Sequence, residues 1–198
     1  ENPATIGTQN TGYGVGAMAS LLLTGAGNVA IGYNAGLSLA GGAKNVIVGA
    51  STAENIDSGT GNVIIGEGAG DAFTTQDNNT LIGEGAGNLA TSENNTFVGR
   101  RAGASVTTGD FNVLIGEGSN VGTATDTNSI AVGRDAVGHG SNTAVIGDAN
   151  ITSWQPGADN QVGLGDKGSY GFTELILVSP DTTRWQITVD NAGNLVVA

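Results

Sequence analysis

The chain has 198 residues, a net charge of −12 and no cysteine, which excludes disulfides and thiolate chemistry. The acidic balance disfavours nucleic acids and anionic membranes as partners, and no apolar run is long enough to insert into a bilayer. Glycine contributes 35 residues at a fixed period, which indicates an ordered chain rather than a flexible linker. The chain begins at Glu1 rather than at a methionine, which predicts a fragment or a processed protein.

A short unit of the form Asn62–Gly66 recurs along most of the chain. The glycines that close its copies lie at positions 16, 32, 49, 66, 83, 99, 116, 133, 147 and 165, in steps of 14 to 18 residues. Such a period is typical of stacked repeats. We therefore predict an all-β protein, a parallel β-roll or β-solenoid of about nine or ten coils. Residues 1–11 are interpreted as a lead-in and 12–150 as the roll.

Each coil begins with a short run of Val and Ile bounded by glycine, which predicts a strand. A weaker second strand is predicted in each coil, around 69–73 and its equivalents. No segment has a helical period of sufficient length. Successive coils are expected to stack in register at a spacing of about 4.8 Å.

The predicted strands are apolar on both faces. Because side chains alternate along a strand, Ile64 points to one side and Val63 and Ile65 point to the other. A thin coil has only one interior, so the second apolar face must be buried against something else. Further copies of the chain are the simplest partner, and we predict a homotrimer.

Stacking in register converts the repeat into columns of equivalent residues. One column predicts a ladder of stacked asparagine amides, with the members Asn28, Asn45, Asn62, Asn79, Asn95, Asn112, Asn128 and Asn142. The column after the glycines alternates in charge from Glu84 to Asp148, which predicts ion pairs between coils.

Beyond residue 150 the repeat stops. Residues 151–171 are interpreted as a transition that contains one last degenerate coil. Three apolar runs then follow, separated by the turn signals of 179–181 and 190–193, which predicts an antiparallel β-meander over 172–198. Because solenoids need protected ends, we expect this meander to act as a C-terminal cap.

Two stretches resemble known families. Residues 128–137 and 142–150, with their 14-residue step, resemble the head repeats of trimeric autotransporter adhesins. The longer coils resemble the same motif in bacteriophage tail fibres, and residues 177–195 resemble a terminal segment of such fibres. The resemblance covers roughly residues 12–150. It implies a left-handed trimeric β-roll with a role in surface attachment.

Catalytic and metal-binding signals are weak. Glu67 and Glu84 share a column and are the only candidates for a glycosidase pair, although solvated side chains are the simpler interpretation. His139 lies in a glycine turn and is interpreted as exposed. A cation would relieve repulsion within a second acidic column, but we interpret its members as turn residues: Asp77, Glu93, Asp110 and Asp126. We expect neither a catalytic site nor a metal or cofactor.

The function most consistent with these features is attachment. We expect the distal part of a phage tail fibre, located on the virion, that binds a bacterial glycan or outer-membrane component. The alternatives are the head of a cellular trimeric adhesin on the bacterial surface and a tailspike-type enzyme that cleaves glycan. The candidate receptor-binding residues are Trp154, Tyr170 and Trp185, since aromatic faces bind sugars and anchor protein contacts.

Overall fold

A computed structural model describes residues 8–21, 23–148 and 150, together with the backbone of three strands between 175 and 197. The chain forms two compact units, Glu1–Thr152 and Ser153–Ala198. The strands of the first unit are β1 (Thr11–Tyr13), β2 (Val29–Ile31), β3 (Val46–Val48), β4 (Val63–Ile65), β5 (Thr80–Ile82), β6 (Thr96–Val98), β7 (Val113–Ile115), β8 (Ile130–Val132) and β9 (Ala144–Ile146).

These nine strands form a single parallel sheet in chain order. Each strand pairs with the next in register, so Ile64 lies beside Ile47 on one side and Leu81 on the other. The first unit is therefore a parallel β-solenoid, as predicted, with about eight turns rather than the nine or ten coils expected for the chain. Within the described residues there is no helix, and hence none that could span a membrane.

The interior of the solenoid is a narrow apolar core. The middle residue of each strand from β2 to β8 is fully buried, and this column consists of Ala30, Ile47, Ile64, Leu81, Phe97, Leu114 and Ala131. Small residues of the following turn and larger residues of the returning segment complete the core, among them Ala69 and Phe73. Full burial of such side chains is the main term that stabilises each coil.

The glycine that follows each strand permits the coils to stack closely. Gly66 has a φ of 133°, and a Cβ there would lie 2.4 Å from the carbonyl oxygen of Gly83 in the next coil. Only glycine combines this backbone conformation with so close an approach. The glycine period of the sequence therefore marks the end of each strand.

The first coil starts earlier than the sequence predicted. The strand register places Thr11 beside Val29, and the equivalent of Gly32 is Gly14 rather than Gly16. The first step is therefore 18 residues long, and Thr11 belongs to the roll rather than to a lead-in. The irregular sequence of the first copy concealed this register.

The predicted second strand is wrong. Residues 67–72 form turns, with hydrogen bonds inside the coil from Ala69 N to Gly66 O at 3.2 Å and from Phe73 N to Gly70 O at 3.0 Å. Gly68 and Gly70 have φ values of 63° and 61°. Such left-handed residues turn the chain and are incompatible with an extended strand.

The second unit contains a three-stranded antiparallel sheet in the order β10 (Leu175–Val178), β11 (Arg184–Val189) and β12 (Leu195–Val197). Leu175 pairs with Ile187, and Ile187 pairs with Val197. The hairpin turns of the sequence predicted this meander. Its role as a cap remains a prediction.

Candidate functional site

A buried ladder of asparagines connects the coils. Asn62 Nδ2 donates to Asn45 Oδ1 at 3.1 Å and to the carbonyl oxygen of Gln76 at 2.7 Å. Asn62 Oδ1 accepts the backbone N–H of Asn79 at 2.9 Å. The amide nitrogen and the amide oxygen of Asn62 therefore both have hydrogen-bond partners in the buried interior. The ladder has a structural rather than a binding role.

Six of the eight predicted asparagines lie in this ladder and are 0–1% exposed: Asn28, Asn45, Asn62, Asn79, Asn95 and Asn112. Asn10 also belongs to it, because its Oδ1 accepts the N–H of Asn28 at 2.8 Å. Asn10 was not predicted, because the glycine that closes the first copy of the repeat is Gly14 rather than Gly16.

The prediction for Asn128 and Asn142 is wrong. Ser129 N donates to Asn112 Oδ1 at 2.8 Å, so Ser129 occupies the ladder position. Asn128 and Asn142 lie one residue before the ladder position, and both are exposed. They form a hydrogen bond with each other, from Asn128 Nδ2 to Asn142 Oδ1 at 2.9 Å. These two copies carry one extra residue between asparagine and glycine, and the strand register assigns that residue to the ladder.

Two of the predicted acidic residues are backbone caps. Asp77 Oδ1 accepts the N–H of Thr60 at 2.6 Å, and Asp110 Oδ1 accepts the N–H of Glu93 at 2.8 Å. Each carboxylate thus binds the equivalent residue of the preceding coil. Within the described ranges no group of three acidic, histidine or cysteine side chains is arranged to hold a metal ion.

Asp126 does not belong to that acidic column. Its carbonyl oxygen accepts Asn112 Nδ2 at 2.8 Å, which places it one position earlier in its coil than Asp110. Its carboxylate accepts the hydroxyl and the N–H of Thr123, both at 2.7 Å. These bonds, the hydroxyl bond first, lower the pKa of Asp126 because they stabilise the charged form.

The alternating charges form an ion pair at one step between coils. Arg100 and Glu117 are in contact, and this hydrogen bond raises the pKa of Arg100. Arg134 instead approaches Asp135 of its own coil, at 3.9 Å. The side chains are about half exposed or more, where ion pairs contribute little to stability. The prediction of a continuous ladder of ion pairs is therefore wrong in the described part.

The turns after β4, β5 and β6 enclose a polar surface groove of ≈ 510 Å³. Its charged and amide side chains are Glu67, Asp71, Glu84, Asn88 and Arg101. Glu67 and Glu84, the predicted carboxylate pair, therefore line one groove, and both are exposed. The groove was not predicted, since its shape depends on the turn conformations rather than on a motif.

No protein-family model, no curated protein and no solved structure matches the chain. The candidate site is therefore assessed on its own geometry.

The remaining candidate residues differ in what the structure describes. His139 is exposed, as predicted, and lines a second groove together with Asp135 and Asp148. Asn150 donates two hydrogen bonds to the Asp148 carboxylate, and these bonds lower the pKa of Asp148. Trp154 and Tyr170 lie outside the described residues. Trp185 lies in β11, where its backbone pairs with Leu177, and only its backbone is described.

The outward face of the nine-stranded sheet is apolar along most of its length. On this face Ile31, Ile82, Ile115 and Ile130 are 37–40% exposed and Ile146 is 61% exposed. The first and third residues of each strand lie here, opposite the buried middle residue. From β2 to β9 this face forms a strip about 34 Å long, at about 4.8 Å per step. We call it the outer apolar strip.

Proposed function

We propose that this chain is a trimeric attachment protein of the bacteriophage tail-fibre type, which binds a glycan or outer-membrane component on the surface of a bacterium. The outer apolar strip is the main observation that supports a trimer. Monomeric proteins seldom expose a continuous apolar surface of this length. The resemblance of the repeats to tail fibres and adhesin heads supports the attachment role and a location on the virion.

The strip is suited to self-association because it is regular. Nearly every strand contributes β-branched side chains at its first and third positions, as Val63 and Ile65 do in β4. A second and a third copy, aligned along the same axis, would present the same spacing. Three strips packed around a common axis would remove all three from water. The second unit is proposed to close the end of this assembly.

The first test is the solution mass by light scattering, given a chain mass of 19.5 kDa. A trimer has about three times that mass. Ile82→Lys places a charge in the strip and should yield monomers, because burial of an unpaired charge is costly. Leu89→Lys is the matched control, since Leu89 is 54% exposed and lies outside the strands. A monomeric wild type, or equal effects of both substitutions, would contradict the trimer.

The attachment role is tested by binding of the fluorescently labelled trimer to a panel of bacterial strains and their purified surface polysaccharides. We expect saturable binding to a subset of strains. If the protein bound none of the strains, attachment through this part of the fibre would be contradicted.

A tailspike-type hydrolase is the second candidate, because Glu67 and Glu84 line the same groove. This candidate predicts reducing ends released from a bound polysaccharide, with loss of release in Glu67→Gln and Glu84→Gln. The attachment proposal predicts binding with no release.

A further inference from the structure

We propose that the groove of Glu67, Asp71, Glu84, Asn88 and Arg101 is a lateral binding site for neutral or amino sugars of a bacterial surface glycan. This inference rests on the proposed attachment function and assigns its contact surface to the side of the solenoid. The groove spans three successive coils and lies entirely in turns, outside the strands of the outer apolar strip. The proposal requires that a trimer formed through that strip leaves these turns accessible.

The groove exists because two successive coils have glycine at one turn position. Gly68 and Gly85, both with a φ of 63°, follow one another in a column that also holds the single glycines Gly16 and Gly118 and carries side chains in the other described coils. These side chains belong to Asn34, Ser51, Arg101 and Asp135, with φ values of 47–58°. A Cβ at Gly68 would meet no atom within 4 Å, and one at Gly85 would lie 3.7 Å from Arg101 Cγ. The backbone therefore does not require glycine for packing here, and the missing side chains open the groove.

The walls of the groove are fixed by backbone hydrogen bonds between coils. Gly85 N donates to Glu67 O and Arg101 N donates to Glu84 O, both at 2.9 Å. Asn88 O accepts the N–H of Ala72 at 3.1 Å. A site held on three stacked coils is preorganised, so binding does not require ordering of the chain.

The side chains of the groove match the chemistry of sugar hydroxyls. Carboxylates such as Glu67 and Glu84 accept hydrogen bonds from hydroxyl pairs, and the Arg101 guanidinium donates to ring and hydroxyl oxygens. Asn88 Oδ1 is enclosed and has no hydrogen-bond donor. An unsatisfied acceptor of this kind is unusual in a folded protein. Asn88 lines the groove, and rotation of its amide toward the groove would allow a sugar hydroxyl to donate to this oxygen.

The charge of the groove restricts the class of glycan. Three carboxylates face one guanidinium, so the groove repels uronic acids, sialic acids and phosphorylated sugars. Neutral sugars incur no such repulsion, and a protonated amino sugar is attracted. The proposed ligand is therefore a neutral or amino-sugar-containing glycan.

The test uses substitutions that fill the groove without disturbing the backbone. Gly85→Asn introduces a side chain that tolerates the left-handed conformation, and Gly68→Asn does the same one coil earlier. Ser51→Asn is the matched control in the same column, outside the groove. The probe is an immobilised panel of bacterial O-antigen and capsular polysaccharides with neutral, amino-sugar-containing and acidic members. Each variant is first checked for an unchanged trimer and thermal unfolding temperature.

We expect binding to a neutral or amino-sugar-containing member, at least tenfold weaker in Gly85→Asn and unchanged within about twofold in Ser51→Asn. The double variant Glu67→Gln and Glu84→Gln is a second test, because it keeps the shape of the groove and removes two negative charges. It should also weaken binding. Wild-type affinity in the filled variants, or binding to acidic members alone, would overturn the site while attachment stands. Binding to bacteria but to no polysaccharide would overturn the site as well. Binding to neither would overturn both proposals.

Discussion

The coils before and after Asn112 repeat the same sequence motif but are connected differently. Before it, the buried amides of Asn62 and its equivalents form hydrogen bonds to the next coil. After it, Ser129 occupies the ladder and donates its backbone N–H to Asn112 Oδ1, but its buried hydroxyl has no partner. A copy of the motif is therefore not the same as a copy of the structural position.

Two neighbouring columns favour asparagine for different physical reasons. The ladder uses an amide that both donates and accepts: Asn79 Nδ2 donates to Ser92 O, and Asn79 Oδ1 accepts the N–H of Asn95. The column one residue earlier needs a left-handed backbone, which asparagine tolerates, as at Asn78 with a φ of 59° and Asn128 with a φ of 52°. The same residue type can therefore mark either position.

The largest effect is expected from the ladder. Asn62→Ala leaves the carbonyl of Gln76 and the N–H of Asn79 without their partner. At about 1–3 kcal/mol for each of these two buried groups, the free energy of unfolding should fall by roughly 2–6 kcal/mol. Asn128→Gly is the control, because glycine keeps the left-handed backbone of this exposed position and the loss of the side chain should cost less than about 0.5 kcal/mol. Urea denaturation of both variants measures the difference, and equal losses would contradict the assignment.

Two glycines of one turn should respond differently to the same substitution. In Gly66→Ala the new Cβ meets the Gly83 carbonyl oxygen at 2.4 Å, whereas in Gly68→Ala it meets no atom within 4 Å. We expect a loss of about 2–4 kcal/mol for Gly66→Ala, from backbone strain and displacement of a coil. Gly68→Ala should cost only about 1–2 kcal/mol, for the left-handed conformation. Thermal unfolding of both variants measures the two stability losses. A larger loss for Gly68→Ala than for Gly66→Ala would show that the coils are less closely stacked than the structure indicates.

The repeat predicted the first strand of each coil correctly, but it also predicted a second strand that is wrong, and it misplaced the ladder where the length of the repeat changes. The period, the parallel strands and the buried column of Ile64 follow from glycine spacing and side-chain alternation. Asn10 and Ser129 could have been found by counting back from the strand residues rather than from the asparagines, because register fixes the position. The groove of Glu67 and Glu84 could not, since it depends on where successive turns place side chains that are distant in sequence.

The column before the ladder contains one residue that conflicts with its backbone. Phe111 has a φ of 60° and is 59% exposed, whereas Asn94 occupies the same position in the preceding coil with a φ of 59°. A bulky residue is strained there, and asparagine is not. Phe111→Asn should therefore raise the free energy of unfolding by about 1 kcal/mol. Thermal unfolding measures this change, with Asn94→Phe as the reverse control. A stability loss in Phe111→Asn would indicate that the ring is buried in the proposed trimer.

The smallest effect is expected where the ladder changes its residue. Ser129 is fully buried and its hydroxyl lacks a partner, so Ser129→Ala removes a polar group that contributes no hydrogen bond. The backbone N–H that binds Asn112 Oδ1 is retained. The free energy of unfolding should stay the same or rise by up to about 1 kcal/mol. Urea denaturation of Ser129→Ala and Asn62→Ala compares the two regions directly, because both substitutions remove a buried polar side chain from the same column. A loss above about 1 kcal/mol for Ser129→Ala would show that the hydroxyl has a partner, and that the two regions differ less than their hydrogen bonds indicate.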